Sequence, residues 1–490
     1  MHRSSLLEIL RTLSKQELAK FGDFVKSPYF NKKENVVRLF IEISKHAPGL
    51  SGEGLEKESL WKGVFPGKEY NYGIMKNLIH ELTGLCEKFI LLEQYFKDTF
   101  RTDYDLIEAA NSRNIQKFTA GKIDQFEKRM KHESDPNKYS IIEDLLYVMA
   151  NYNYAKSSFI HEYELKHDRE ESLRLASQYH LYYFLINSFK LIHNTVANEV
   201  QGHPRAGRTI LEDFFAKLEE HSILEGLLMN DRHDQDELGK AVTCFYRMYK
   251  ALISGGDRDV YDRFKSHLRE NVQLLSATEL QNLNNCRITC AINLKTPALN
   301  HTRESLEWYK LLMEKGLLLQ RNGLITIGTM VNVINFSVNL NETEFAEEFL
   351  NQYAGQLPAD SRDNTYNYCM AVIHFARKEY GKSLERLSGI SDEKLIRKYF
   401  VKRLYLKIYY ELNDYESFVY AFDTFSHFKK RNKLTNEARA VAFNNFGNYI
   451  RRLFKLRKSY SKFEAEKLRK EAGNQNWFVE KLDELEKDDF

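Results

Sequence analysis

Three similar phrases in the C-terminal half decide the fold: Glu344-Phe-Ala-Glu-Glu-Phe349, Glu379-Tyr-Gly-Lys-Ser-Leu384 and Asp414-Tyr-Glu-Ser-Phe-Val419. Their aromatic residues lie 35 residues apart, and each is preceded by an acidic residue and followed four positions later by an apolar one. A period of about 34–35 residues is typical of stacked helical hairpins, in which no single unit buries its own apolar face. The phrases therefore predict an all-α chain built from helical repeats.

The composition supports long helices around packed cores. Of the 490 residues, 43% are apolar, which is enough for folded cores, and only seven are proline. Proline lacks an N–H group and clashes with the preceding helical turn, so a chain with few prolines can keep its helices uninterrupted.

Local signals divide the first 100 residues into helices. Ser14 and Glu17 form a capping-box pattern, and Asn31 with Glu34 predicts a second helix start. A long amphipathic helix is predicted from Asn71 to Phe100. We expect residues 1–100 to form a compact helical bundle.

Two later regions give further helix signals. The stretch from Leu324 to Val338 has a strand-like composition, but its length and its place in the 35-residue register favour a helix. Capping-box patterns at Ser140–Glu143 and Asn341–Glu344 predict two more helix starts.

Two resemblances to known families follow from these phrases. Residues 329–425 resemble degenerate tetratricopeptide repeats, because Asn413-Asp-Tyr-Glu-Ser417 is similar to the turn between the two helices of that repeat. Of the small residues that the family has three positions after the aromatic, only Ser383 is present. The phrases Leu13-Ser-Lys-Gln-Glu-Leu18 and Lys26-Ser-Pro-Tyr-Phe-Asn-Lys32 resemble those of an uncharacterised bacterial family of long all-helical proteins with no assigned activity.

These observations give a predicted domain organisation. Residues 1–100 form the N-terminal helical bundle, and residues 101–470 form a right-handed α-solenoid of about ten tetratricopeptide-like hairpins. Residues 471–490 form a C-terminal capping helix and an acidic tail.

Cysteine usage and hydropathy favour a soluble cytoplasmic protein. The five cysteines are scattered and odd in number, which does not fit a disulfide framework. Glu8 interrupts the apolar run that a signal peptide needs, and no stretch reaches 18 apolar residues, so we expect no membrane association.

The search for catalytic motifs favours a protein that is not an enzyme. Ala376 stands where a phosphate-binding loop ending at Lys382-Ser383 needs glycine. Cys286 and Cys290 lack a second ligand pair for zinc, so we interpret them as core thiols. We therefore predict no metal and no cofactor, although an active site formed only by the folded chain stays open.

The net charge of +3 hides a segregation of charge along the chain. Residues 394–470 contain 20 lysines and arginines against seven acidic residues, whereas residues 471–490 contain two against seven. This segregation indicates an anionic partner for the basic region. A solvated face, or pairing with the acidic tail, is the alternative. The candidate partner-binding residues are Lys398, Lys402, Arg403, Lys407, Lys429, Lys430, Arg431, Arg451, Arg452, Lys455 and Lys458.

The sequence favours a scaffold or adaptor that binds a protein or peptide through its repeat surface, because stacked hairpins present an extended surface. The alternative is a nucleic-acid-associated or regulatory protein that binds an anionic partner through residues 394–470. The basic clusters and the aromatic residues match no known nucleic-acid-binding motif.

Overall fold

The structure is a computed structural model, and helices are the regular secondary structure of its described residues. It describes residues 4–47, 49–50, 53–132, 142–166, 168–200, 207–228, 237–294, 298–320, 322–391, 395–431, 437–473 and 476–488. No β-strand occurs in these ranges, which confirms the predicted all-α class. Contacts between Cα atoms divide the chain into two compact units. Unit 1 comprises Met1–Met130 with Ser158–Lys166, and unit 2 comprises Lys131–Ser157 with His167–Phe490.

The described residues of unit 1 contain seven α-helices, the last turn of an eighth and a short 3-10 helix, Glu53–Leu55. The α-helices are α1 (Ser5–Leu10), α2 (Lys15–Lys26), α3 (Glu34–Ser44), α4 (Lys57–Val64), α5 (Tyr72–Lys97), α6 (Thr99–Asn111) and α7 (Gln116–His132). Its described core brings together apolar side chains from α1–α5, with the Phe21 ring edge-on to Phe40 at 5.1 Å between centroids. Gly22 permits this approach, since a Cβ there would lie 3.0 Å from the Phe40 ring.

The helix α8 (Ile142–Glu162) is followed by sixteen α-helices. The first seven are α9 (Arg169–Val200), α10 (Ile210–Glu220), α11 (Ile223–Leu228), α12 (Glu237–Ile253), α13 (Arg258–Glu270), α14 (Ala277–Asn293) and α15 (Ala298–Glu314). The other nine are α16 (Ile327–Asn339), α17 (Thr343–Tyr353), α18 (Arg362–Ala376), α19 (Tyr380–Ser388), α20 (Leu395–Glu411), α21 (Tyr415–Arg431), α22 (Glu437–Lys458), α23 (Lys462–Ala472) and α24 (Asn476–Asp488). Two short 3-10 helices, Val272–Leu274 and Ala354–Gln356, lie between them.

Helix packing in the C-terminal half of unit 2 follows chain order. From α14 onward each helix contacts the next one, and α16, α18, α20, α22 and α24 also form a row in which each contacts the following member. One apolar core runs from Ile142 to Ile408, and a second runs from Tyr399 to Leu482. Helix α20 contributes to both cores.

The turns of the three repeated phrases share one backbone geometry. Asn341, Lys378 and Asn413 adopt left-handed conformations with φ of 62°, 60° and 55°. The N–H of the residue after each one bonds a carbonyl five residues back, at 2.8, 2.9 and 3.0 Å. This is the Schellman pattern that ends one helix before the next begins. Asn341 and Lys378 lie 37 residues apart, and Lys378 and Asn413 lie 35 apart. The first spacing is longer because Phe345 is the third residue of its helix, whereas Tyr380 and Tyr415 are the first residues of theirs.

Among the predicted helix starts, Ser14 and Glu17 form the capping box in full, with hydrogen bonds of 3.2 and 2.9 Å. The box at Asn341 is wrong, because this residue ends α16 in a left-handed conformation and Glu342 is the N-cap of α17. The start at Asn31 is also wrong. Its side chain bonds the Lys33 N–H instead, and Lys33 is the N-cap of α3. The pattern at Ser140 lies outside the described residues.

Two predicted helix ranges need correction at their ends. The long helix predicted to reach Phe100 ends at Lys97, because the Asp98 carboxylate accepts a hydrogen bond from the Arg101 N–H at 3.0 Å and begins α6. The ambiguous stretch after Leu324 is helical from Ile327 onward. Before that, the Ile325 N–H donates to the Gln356 carbonyl at 3.0 Å, so the first residues are extended.

Candidate functional site

The candidate site lies on helices α20–α24, where the sequence places its basic clusters. Helix α20 has two buried faces, since Leu404 and Ile408 belong to one core and Leu406 and Tyr410 to the other. A helix with two buried faces must place its polar side chains along the edges between them. Lys402, Arg403 and Lys407 of α20 therefore lie close to aromatic residues.

Three predicted cations of α20 lie against aromatic rings. The Lys402 ammonium is 5.7 Å from the centroid of Phe428, and the Arg403 guanidinium is 4.3 Å from that of Phe446. The Lys407 ammonium is 4.8 Å from the Trp477 ring. Cation–π attraction of this kind offsets the repulsion between like charges four residues apart on one helix. These contacts contribute to the packing of α20, and Lys402 also lines a groove beside this helix.

Lys407 is the most perturbed of these cations. Burial lowers the pKa of Lys407 to about 7, the nearby charge of Arg403 lowers it further, and Glu411 and Glu480 oppose the shift. In the folded chain the Lys407 ammonium is removed from water and lies against the Trp477 ring, and the charges of Glu411 and Glu480 act on it in place of hydration. Such a lysine titrates near neutral pH.

The C-terminal helix α24 is joined to α20 through Glu411. The Trp477 Nε1–H donates to the Glu411 carboxylate at 2.8 Å, and the Lys481 ammonium lies 3.1 Å from the same carboxylate. Lys481 is 4% exposed and also pairs with Glu484 at 2.8 Å. Burial opposes the charge of Lys481, but its hydrogen bonds to Glu484 and Glu411 outweigh burial and raise its pKa.

Part of the basic region pairs with nearby acidic residues. Arg452 lies 2.5 Å from Glu471 and 3.4 Å from Glu464. Arg469 pairs with Asp483 and, at 3.3 Å, with Glu486. Glu471, Asp483 and Glu486 of the acidic C-terminal segment therefore pair with one arginine of α22 and one of α23.

The remaining predicted cations are exposed or lie outside the described side chains. Arg451 and Lys455 are exposed on α22 and form no ion pair with any described residue. Lys458 is exposed, with its ammonium 3.4 Å from the centroid of Tyr415. The side chains of Lys398, Lys429, Lys430 and Arg431 are outside the described part of the structure. The predicted residues whose side chains are described thus differ in their surroundings: three lie against rings on α20, Arg452 is ion-paired, and Arg451, Lys455 and Lys458 are exposed.

A groove lies between α20 and α21, and sequence reasoning did not find it. Its volume is about 560 Å³, and it is open to solvent. It is lined by Lys402, Tyr405, Tyr409, Glu416, Ser417, Tyr420, Ala421 and Thr424. Burial raises the pKa of Tyr405 and Tyr409, so both hydroxyls stay protonated and can donate hydrogen bonds at neutral pH.

The groove is rich in exposed aromatic surface. Tyr405 and Tyr409 stack with ring centroids 6.1 Å apart, and Tyr420 is 79% exposed beside them. Val419 and Leu412 are also exposed near the turn of this hairpin. The sequence signal was the i, i+4 tyrosine pair on α20, but only the pairing of α20 with α21 turns that pair into a groove.

A second group of ionisable residues lies in α13–α15. Arg287 is 2% exposed, donates to Asn284 and Ser305 at 3.0 Å, and lies 3.4 Å from Glu304. Tyr261 and Lys265 also donate to Glu304, at 3.0 and 3.1 Å. The adjoining cavity is about 10 Å³, room for no more than a water molecule, so this network joins helices.

The described residues contain no group of three or more His, Cys, Asp or Glu side chains arranged for a metal ion. In the same ranges, every helix is too short or too polar to cross a lipid bilayer. Cys286 and Cys290 are buried free thiols, and burial raises the pKa of both. Comparison with known proteins finds no matching family model, no matching curated protein and no matching solved structure.

Proposed function

We propose that this protein is a non-enzymatic scaffold or adaptor that binds a protein or peptide partner through the C-terminal hairpins of unit 2. The observation that carries the proposal is the α20–α21 groove, where stacked tyrosines and polar side chains border one solvent-filled recess. Tyrosine is enriched at protein interfaces because it buries a large ring while its hydroxyl keeps a hydrogen bond.

The order of helix contacts supports the proposal. Contacts between successive helices, with a second set along the row from α16 to α24, fit a tetratricopeptide-like superhelix of hairpins. In such an assembly each hairpin groove continues into the next, which gives a segment of a partner protein an extended surface. Residues 101–470 are the range that we propose for this superhelix.

Affinity capture from a native extract tests the proposed function. Tagged wild-type protein should retain a specific protein after nuclease treatment, and Tyr420→Ala should release it because the most exposed groove side chain is gone. Tyr29→Ala is the matched control, since Tyr29 in unit 1 is 86% exposed. Recovery of no specific protein by wild type, or equal recovery by Tyr420→Ala, contradicts the proposal.

A second candidate function is binding of an anionic partner such as a nucleic acid. It is favoured by the exposed cations Arg451, Lys455 and Lys458 of α22, with Lys462 at the start of α23. Positions three and four residues apart share a helix face, so these charges line one side of α22. Such a surface releases counterions when it binds phosphates, and its affinity therefore falls steeply with salt.

Charge reversal at Arg451 and Lys455 separates the two functions. Arg451→Glu with Lys455→Glu should abolish salt-sensitive nucleic-acid binding and leave Arg452 in its ion pairs. Lys76→Glu with Lys117→Glu is the control, because both lysines are exposed on unit 1 helices. Unchanged nucleic-acid binding by the α22 variant contradicts the second candidate.

A further inference from the structure

The α20–α21 groove has side chains of opposite charge at its two ends. Helices α20 and α21 are joined by the short turn Leu412–Asp414, so Tyr409 and Glu416 lie at the turn end and Lys402 at the far end. Seven residues separate Lys402 from Tyr409, which corresponds to about 10 Å along a helix. The groove therefore offers a carboxylate at one end and an ammonium at the other.

The turn end combines aromatic faces with negative charge. Tyr409 and Tyr420 line it together with the exposed Glu416. Asp414 adds a second carboxylate, which is close enough to raise the pKa of Tyr409 beyond the effect of burial. Aromatic faces beside a carboxylate are the surroundings in which proteins bind ammonium and guanidinium groups.

A contact between a cation and an aromatic ring also occurs within this chain, at Tyr415, the residue before Glu416. Tyr415 faces α22, where its ring contacts Phe454 at 5.7 Å and the Lys458 ammonium at 3.4 Å. Tyr420, in contrast, is among the most exposed apolar side chains of the described structure. One tyrosine of α21 is thus occupied by a cation of this chain, and another presents its ring to solvent.

We infer that the turn end of the groove binds a cationic side chain of a partner peptide, with arginine preferred, through Tyr409, Tyr420 and Glu416. This inference rests on the proposed function and specifies its ligand. Arginine is preferred because its planar guanidinium stacks on a ring while donating to a carboxylate. Lys402 favours an acidic residue of the same peptide about 10 Å away, which sets the direction of binding.

Selection from a phage-displayed library of random dodecapeptides on the full-length protein tests the inference. The selected peptides should be enriched in arginine or lysine, with an acidic residue on one side of it. Replacing the basic residue by alanine in a synthetic peptide should weaken binding about tenfold, as expected for a cation that loses both a ring and a carboxylate. Fluorescence anisotropy of the labelled peptide gives the affinity.

Variants of the protein make the test specific. Glu416→Gln and Tyr420→Ala should each weaken binding of the peptide about two- to fivefold, the scale of one exposed cation contact. Tyr29→Ala should leave its affinity unchanged. Glu416→Lys should reject the arginine peptide and accept the same peptide with glutamate in place of arginine. Circular dichroism verifies that each variant is folded.

Two results overturn the inference. One is a set of selected peptides without enrichment of basic residues, or no retained peptide at all. The other is binding that is equal for wild type, Glu416→Gln and Tyr420→Ala. Neither result bears on whether the protein captures a partner from its native extract, so the failure of this inference is distinguishable from the failure of the proposed function.

Discussion

Arg287 in α14 and the pair Arg451 and Lys455 in α22 are held in opposite ways. In the first region Arg287 is buried, and hydrogen bonds to Asn284, Ser305 and Glu304 satisfy its guanidinium. In the second, Arg451 and Lys455 are exposed and form no ion pair with any described residue. The comparison shows that basic residues of one unit can serve either stability or recognition, and that burial and partners decide which.

The largest expected effect is in the first region. Arg287→Ala leaves the buried acceptors Asn284 and Ser305 without their donor, removes one cation from Glu304 and opens a cavity, so we expect the free energy of unfolding to fall by about 3–5 kcal/mol. Urea denaturation followed by circular dichroism measures it. Arg303→Ala, an exposed arginine on α15, should change stability by no more than about 0.5 kcal/mol. Similar losses in the free energy of unfolding for Arg287→Ala and Arg303→Ala would contradict the contrast between buried and exposed cations.

An intermediate effect is expected where α24 joins α20. Glu411→Ala removes the acceptor of Trp477 and one partner of the buried Lys481, so we expect a loss of about 2–3 kcal/mol. Amide hydrogen exchange should show faster exchange in α24. Glu486→Ala removes only an exposed ion pair with Arg469 and should cost less than about 0.5 kcal/mol. Unchanged exchange in α24 after Glu411→Ala contradicts this role of Glu411.

The titration of Lys407 gives a pH-dependent test. Its pKa is lowered from 10.5 to about 7 in the folded chain, mainly by burial. The unfolded chain therefore binds more protons between about pH 7 and pH 10.5, and stability from this group rises with pH across that window. Lys407→Met keeps the contact with Trp477 without the charge, so we expect it to be more stable than wild type near pH 7.

The advantage of Lys407→Met should shrink as the pH rises toward 10, because the folded chain then holds Lys407 neutral and the free energy of removing its proton from the unfolded chain falls as the pH approaches 10.5. Denaturation of both proteins at pH 7 and near pH 10 gives the difference. A constant difference at the two pH values would show that the lysine keeps an ordinary pKa in the folded chain.

The smallest effects on stability are expected on the exposed surface of α20–α22. Tyr420→Ala, and Arg451→Glu with Lys455→Glu, should each change the free energy of unfolding by no more than about 0.5 kcal/mol. Their effects should appear in partner binding alone, which affinity capture measures beside the denaturation curves. A large loss of stability in either variant would place these residues with Arg287 as structural groups.

The sequence predicted features that depend on neighbouring residues. The all-α class follows from periodicity, and the capping box of Ser14 and Glu17 needs only residues three apart. The same local pattern at Asn341 misleads, because the preceding helix needs a left-handed residue to end and asparagine tolerates that conformation. A local sequence pattern cannot show whether a polar residue ends the preceding helix or caps the next one.

The candidate site depends on contacts between residues far apart in the chain. The partners of Arg403 and Lys407 are Phe446 and Trp477, which the sequence separates from them by 43 and 70 residues. The sequence located the basic region but could not show which of its cations contact aromatic rings and which are exposed to solvent. The groove was missed for the same reason, since its two walls come from different helices.

Site-specific photo-crosslinking tests the central claim that the α20–α21 hairpin is a protein-binding surface. A photoreactive phenylalanine analogue replaces Tyr420 in one sample and Tyr29 in another, and both are irradiated in a native extract. The account predicts a discrete protein adduct from position 420 that survives nuclease, and none of that mass from position 29. No adduct at 420, or an adduct that nuclease removes, would contradict it.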